Sequence, residues 1–450
     1  MLRMAIQQHD HISARNIWRV AYPIILGSVA QNILIVTDTA FLARLGDIAL
    51  GGGVIGGLFY QVLLMLGWGI SIGGQIIIAR RIGQGAQRTV GRLVEHLLGL
   101  MVCMGLFLLI TMRLGAAPLL RIMVQSADVL EAGQHFFNHR IVGLPLAFVG
   151  YTFQAFYVGI GRTKVITITT VMVVLTNIAL DYGLIFGHWG LPAMGVAGAA
   201  AASVVAELVG AATFTLYTLL MFNHRQFNLF RFSRFRPKLI LRILNVGWPL
   251  MFQFTVSVFV WFIFFVLIEK LGETQLAASN IVRSVYNIVL LPIWGFTSTT
   301  NAFVSQLIGR GDEQHLGVLL RRVLRLCLSM VGILAVLCLT LGEHIMGIYT
   351  DDAALIAQSL PTLRVVALAS LSQAMGFVLL NAVSGTGRTR VSLAVEMLTL
   401  MVYMGYAYTS TVALRLSLPA VWCTEFIYGT LLALGAWLYL RTGRWRGTAV

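Results

Sequence analysis

Charge is what this sequence has least of. Only 11% of its 450 residues are Asp, Glu, Lys or Arg, against roughly 25% in soluble domains, and so few cannot cover a folded chain with a polar surface. Cysteine is scarce as well. Cys103, Cys327, Cys338 and Cys423 all fall inside apolar runs, with no CxxC or Cys/His cluster, so neither a disulfide framework nor a zinc site is encoded and the four read as packing residues. The N-terminal stretch lacks the short apolar run and small-residue cleavage site of a secretory signal, so the first apolar helix is expected to stay in the mature chain. No Walker motif occurs, which excludes ATP as the direct energy source. No cofactor is called for.

What fills the chain instead is apolar: 58% of residues are hydrophobic and the mean hydropathy is +0.85. A bilayer core about 30 Å thick takes roughly 20 apolar residues per helix. Runs between charge and Gly/Pro punctuation predict twelve transmembrane helices near 16–42, 48–79, 91–112, 128–157, 164–187, 194–222, 238–268, 275–307, 318–341, 354–384, 391–413 and 418–440. The loops left over are too short for a soluble domain. The fold class is therefore an all-α polytopic membrane protein.

The net charge of +15 does not point to nucleic acid, because the basic residues sit in small clusters between apolar runs. With the N-terminus in the cytoplasm, three quarters of the 32 Lys and Arg fall in cytoplasmic segments, while Arg44, Arg113, Arg121, Lys270 and Arg415 are expected in outer loops. The positive-inside rule then puts both termini in the cytoplasm of a multi-pass inner-membrane protein. Membrane lipids are the expected surroundings, and the chain is expected to be a monomer.

The two halves overlay at a constant offset of 226 residues. Val20–Pro23 matches Val246–Pro249, Ile82-Gly-Gln-Gly85 matches Ile308-Gly-Arg-Gly311, and Gly159-Ile-Gly-Arg-Thr163 matches Gly385-Thr-Gly-Arg-Thr389. Three matches at one offset make an internal repeat. An even helix count per half gives both halves the same orientation, as in parallel-repeat transporters. The expected organisation is a six-helix bundle over 1–222, a cytoplasmic linker over 223–237 and a second six-helix bundle over 238–450. No strand precedes either Gly-x-Gly-Arg-Thr segment, so both read as tight turns rather than nucleotide loops.

A carboxylate deep in a helix costs about 2.5–3.5 kcal/mol on insertion scales, so intramembrane acids are functional candidates. Asp38, Asp181, Glu207, Glu396 and Glu425 qualify. Asp181 lies 18 residues after Thr163, roughly 27 Å along its helix, and so shares the outer third of the membrane with Asp38. Asn177 is four residues before Asp181, on the same face. Ser203 lies in a run of small residues that lets helices approach closely. Two acids, an amide, a hydroxyl and a freed carbonyl suit a hard cation such as Na⁺, and equally a proton shared between carboxylates. At the repeat offset Asp38 falls on Phe264, Asn177 on Tyr403 and Asp181 on Ala407, so the acidic set belongs to the first half alone. Glu425 and Glu207 align when helices six and twelve are superposed, which allows a shared interhelical hydrogen bond. Arg140 and Arg364 are expected as paired or carbonyl-capping cations. Pro23 and Pro249 each remove a helical hydrogen bond.

The Pro23 helix ending in Thr37-Asp38-Thr39, the Ile82–Gly85 loop, Gly161-Arg162-Thr163, Asn177 with Asp181, and Gly195–Ala199 resemble the multidrug and toxic compound extrusion (MATE) family over roughly residues 15–440. An acid closing helix one with none matching in helix seven looks like the DinF-type branch. The resemblance implies two pseudo-symmetric six-helix bundles forming a V, and an antiporter exporting amphipathic, often cationic, compounds against H⁺ or Na⁺ by alternating access. By position it implies cation coupling at Asp38, Asn177 and Asp181, the three being candidate Na⁺ ligands, with Ser203 and the Ala199 carbonyl beside them. It implies a conformational switch at Pro23. Gln154, together with Glu207, Glu396 and Glu425, is a candidate for the substrate pocket. The rival within the same superfamily is a flippase for a lipid-linked substrate. A membrane enzyme would need clustered acids, histidines or a nucleophile at an interface, and most of the nine histidines are scattered or in loops.

Overall fold

The computed structural model describes residues 12–123, 126–231 and 234–447. Among these residues twelve helices are long and apolar enough to cross a membrane. In chain order they are α1 Ala14–Ala43, α2 Asp47–Gly83, α3 Gln87–Arg121, α4 Ala127–Gly159, α5 Lys164–Phe186 and α6 Val196–Leu220. The second set is α7 Pro237–Glu269, α8 Glu273–Gly309, α9 Glu313–Thr340, α10 Ala353–Gly385, α11 Thr389–Ala413 and α12 Leu418–Arg441. No strand occurs among the described residues. The turns that the repeat predicts are present. Gly161 at φ +73° and Gly387 at φ +90° both take the left-handed conformation, which costs glycine little because it has no Cβ.

Two boundaries differ from the sequence expectation. α3 runs on past 112, so Arg113 and Arg121 lie within a helix and not in a loop. The helix continues through Pro118, which removes one helical hydrogen bond, and the long Arg side chains can carry their charge to water from a helix end. At the other end of the bundle Arg80 and Arg81 occupy the last turn of α2, where cations complement the exposed carbonyls.

The chain forms two compact units, and their boundary departs from the linker. One unit is Leu26–Met251; the other comprises the described residues up to Ile25 and from Phe252 on. The division thus passes through α1 and α7, two residues after Pro23 and two residues after Pro249, in register with the 226-residue repeat. Packing explains it. A Cβ on Gly69 of α2 would lie 2.2 Å from the Met251 Cα, and one on Gly73 would lie 2.5 Å from the Gly247 Cα, so the start of α7 is locked onto α2 backbone to backbone. In the other unit Ile17, Ala21 and Ile25 of α1 are buried, and a Cβ on Gly295 of α8 would meet the Ile25 Cγ1 at 2.4 Å.

Gly69→Val is accordingly expected to destabilise the protein by at least the roughly 1–3 kcal/mol of an overpacked core. The obstacle is backbone and cannot swing aside. The check is the thermal unfolding midpoint in detergent beside Gly99→Val, where a Cβ meets nothing within 4 Å.

The linker is tied to the start of α3. Gln226 Nε2 donates to Gln87 Oε1 at 2.7 Å, Asn228 Nδ2 donates to the Arg88 carbonyl at 3.1 Å, and the Arg236 backbone N–H donates to His96 Nε2 at 2.9 Å.

Candidate functional site

α5 presents Asn177 and Asp181 one turn apart, both fully buried. α6 presents Ala199, Ser203 and Glu207 at intervals of four, hence along one face. α1 brings Asp38, half-buried, to the same place. The Asn177 amide is satisfied on both sides when its nitrogen faces the acids. Nδ2 then donates to Asp38 Oδ1 at 3.0 Å and to Asp181 Oδ2 at 2.9 Å, while Oδ1 accepts from Ser203 Oγ and from the Ser203 backbone N–H, each at 3.1 Å. That N–H would ordinarily serve the Ala199 carbonyl four residues upstream, so the carbonyl shares its donor.

The structure therefore brings Asp38, Asn177, Asp181 and Ser203 into one network, with Ala199 one turn along α6. The amide's two N–H bonds bridge the carboxylates and occupy the position of a positive charge between them. For all three side chains to ligate Na⁺, Asn177 would have to turn its oxygen toward the acids. Asp181 Oδ1 is buried without a hydrogen-bond partner, an acceptor in reserve that fits a proton or a small cation.

One turn further along α6 lies an ion pair. Arg140 Nη2 of α4 donates to Glu207 Oε1 at 2.6 Å, with both side chains 14% exposed. The guanidinium carbon stands 3.9 Å from the Tyr60 ring centroid, and Tyr60 Oη of α2 donates to the same carboxylate at 3.1 and 3.3 Å. Arg140 is also close enough to act electrostatically on Asp38 and Asp181. Arg140 is thus the paired cation expected from its position. Arg364, by contrast, is exposed and forms no ion pair among the described residues.

The second half fills the equivalent space with rings. Phe264, at the position of Asp38, packs on Tyr403, at the position of Asn177, with centroids 5.6 Å apart, and on Trp422 at 5.3 Å. Tyr403 Oη donates to Glu425 Oε1 at 3.0 Å. Glu425 Oε2 also accepts from Tyr286 Oη at 2.8 Å and from Gln373 Nε2 at 2.6 Å. Tyr286 is the repeat counterpart of Tyr60, so a Tyr–Glu hydrogen bond recurs in both halves. Glu425 and Glu396 are each 2% exposed and sit inside the second unit's packing. Gln154 is half-buried on α4 and joins neither network.

Residue-by-residue reading missed Tyr60, Tyr286, Tyr403, Tyr428 and Ser257 as partners of buried acids. A signal existed for the first two, since they stand 226 residues apart in the sequence. Tyr428 and Ser257 have no counterpart at the offset, where Ala202 and Gln31 stand.

Comparison with known proteins reproduces the two-fold pattern. The family model described as MatE matches this chain twice, over residues 23–183 and 249–409. The chain is 26% identical over 443 residues to the probable multidrug resistance protein NorM of Thermotoga maritima, covering 96% of this chain and 93% of that protein. It is 25% identical over 385 residues to the multidrug resistance protein NorM of Burkholderia vietnamiensis, covering 83% and 81%. Among solved structures, an outward-facing multidrug resistance MATE transporter of the MOP superfamily superposes with a TM-score of 0.90 at 19% identity over 97% of each chain. A Pyrococcus furiosus transporter of that superfamily, described as having a binding pocket of reversed polarity, superposes at 0.88 and 19% over the same share.

Proposed function

Because the chain belongs to the MatE family, which consists of transporters and not of enzymes, we propose that it is a multidrug efflux antiporter whose coupling cation, H⁺ or Na⁺, binds at Asp38 and Asp181. The observation that carries the reading is the bridge at Asn177, which holds two carboxylates on the two hydrogens of one amide. Such a bridge is a charge-sensitive device. Two ionised acids strengthen it, whereas a cation or proton entering between them competes with the amide and loosens the tie between α1 and α5. Ser203 and the Ala199 carbonyl complete the oxygen set. The acid on α1, with Phe264 in its place on α7, is the feature that favours a DinF-type site.

Pro23 and Pro249 give this chemistry a mechanical outlet. Each stands two residues before the point where its helix passes from one compact unit to the other, and each lacks the N–H that would stiffen the helix there. Loading at Asp38 acts on the same helix as Pro23. Amphipathic cations suit the Asp38/Asp181 site as substrates, because they and the coupling ion compete for one charge deficit and only one of them is carried at a time. The charge distribution favours an inner membrane with both termini in the cytoplasm.

The test is drug transport in proteoliposomes driven separately by a pH gradient and by a Na⁺ gradient, with Asp38→Asn beside the wild type. One of the two gradients is expected to drive wild-type transport, and the variant is expected to fall to background under that gradient. Equal transport by Asp38→Asn and wild type would sink the site assignment.

A further inference from the structure

Three glutamates on α6, α11 and α12 have partners of different kinds. Glu207 faces a guanidinium. Glu425 is surrounded by three donors, from Tyr286, Tyr403 and Gln373. Glu396 of α11 has neither arrangement. Ser257 Oγ of α7 lies 2.7 Å from its Oε1 and Tyr428 Oη of α12 lies 2.5 Å from the same atom, while Oε2 is buried without a partner. No Lys, Arg or His among the described residues forms an ion pair with it.

The hydrogen count at Ser257 gives this arrangement its meaning. A hydroxyl has one hydrogen to donate, yet Ser257 Oγ is 2.9 Å from the Gln253 carbonyl as well as 2.7 Å from Glu396. Both contacts are hydrogen bonds at once only when Glu396 supplies the second hydrogen, as a carboxylic acid. When Ser257 turns its hydrogen to Glu396, the acid becomes a carboxylate with two donors on Oε1. A single hydroxyl rotation serves both states without moving a heavy atom. Glu207 has no such freedom, because the guanidinium beside it requires the charge.

A second set of polar groups joins α7, α10 and α11. Ser392, one turn before Glu396 on α11, donates to Gln253 Oε1 at 3.1 Å and accepts from Ser384 Oγ at 2.8 Å. Ser384 stands four residues before the exposed Arg388 in the α10–α11 turn. The arrangement is not a feature of the repeat, since Thr170, Gln31 and Ala202 occupy the places of Glu396, Ser257 and Tyr428 in the first half.

We propose that Glu396 is a second proton-exchange site, housed in the second half and distinct from the Asp38/Asp181 pair. Its carboxyl O–H bond breaks, the proton leaves to water, and Ser257 and Tyr428 hold the carboxylate left behind. Reloading is the reverse. The groups in contact with the acid are Ser257 from α7 and Tyr428 from α12. Tyr286 of α8 and Gln373 of α10 reach Glu425 instead, and both acids act electrostatically on Tyr428. The site stands whether or not Asp38 carries the coupling ion.

The experiment is infrared difference spectroscopy of the purified full-length protein between acidic and alkaline buffer. A protonated-carboxyl C=O band that disappears on the alkaline side is expected, missing in Glu396→Gln and retained in Asp38→Asn and Asp181→Asn. Ser257→Ala and Tyr428→Phe keep the acid but delete one partner each. They should move both the band's frequency and its pH midpoint, which assigns the band even if Glu396→Gln fails to fold. A Glu396 band that is unchanged across the pH range would make the acid a permanently protonated packing group and overturn the proposal. So would a pH-dependent band that none of the three substitutions affects. Unimpaired transport by the Asp variants alongside a titrating Glu396 band would defeat the Asp-site reading and leave this one intact.

Discussion

Asp181→Asn is expected to bring gradient-driven drug transport to background while leaving the protein folded and in the membrane. Asp181 is fully buried, its Oδ2 takes one hydrogen of the Asn177 amide, and its Oδ1 has no partner. Asparagine matches it in shape and can still accept from Asn177 through its own oxygen. What it cannot do is change charge, so the site becomes frozen in a state resembling the loaded one. The fold should tolerate this, because removing a negative charge from a buried site relieves a desolvation cost. Drug binding, measured by fluorescence polarisation, should weaken along with turnover, because a loaded-like site no longer offers a cationic drug the full charge deficit. Asp181→Ala should behave differently: it leaves one hydrogen of the buried amide without an acceptor, at about 1–3 kcal/mol. A variant with Asn at 181 that pumps at the wild-type rate would show that charge at this position does not power transport.

The second large effect is on stability. Arg140→Met is expected to destabilise the first unit by about 3–5 kcal/mol, the cost of stranding a buried charge when its partner is removed. Glu207 would keep only the Tyr60 hydroxyl as a donor, and the guanidinium stacked 3.9 Å from the Tyr60 ring would be gone. Glu207→Gln should cost less, since the amide can hold the Tyr60 hydrogen bond and Arg140 remains under the influence of Asp38 and Asp181. The double variant Arg140→Met/Glu207→Leu should recover most of the loss, because replacing a whole buried pair by apolar groups is often neutral or stabilising. With Glu207→Leu alone added, unfolding midpoints in one detergent of wild type, Arg140→Met, Glu207→Leu and the double variant form a double-mutant cycle. Additive losses would mean that the 2.6 Å contact contributes nothing of its own.

Much of this architecture could be read from the sequence because membrane insertion leaves few choices. A chain with so little charge must form apolar spans, and a backbone in lipid must close its hydrogen bonds within each helix. The 226-residue offset added the duplication, and the family match falls on the same two stretches. The acids of the first half were legible too. A buried carboxylate is costly enough to stand out, and the spacing of four between Asn177 and Asp181 puts them on one face. Partner choice was not legible. Arg140 and Glu207 lie 67 residues apart and Ser257 and Glu396 lie 139 apart, and no periodicity links such positions. The boundary between the compact units was hidden for another reason. It depends on backbone contact between Gly69 or Gly73 and the start of α7, and glycines in an apolar helix do not announce which neighbour they admit.

That boundary sets an order of events during synthesis. Chains emerge N-terminus first, and domains fold as units. The unit Leu26–Met251 is complete only after the first half of α7 has left the ribosome, well past the linker. The residues up to Ile25 are made first, yet their unit cannot begin to form until Phe252 and the residues beyond it have emerged. Ile17, Ala21 and Ile25, buried in the finished protein, must therefore wait through the synthesis of more than two hundred residues with their final neighbours absent. Ribosome-bound chains halted so that residue 222 or residue 251 is the last to have emerged should differ sharply in protease resistance, and the earlier arrest should be the more easily captured by membrane chaperones.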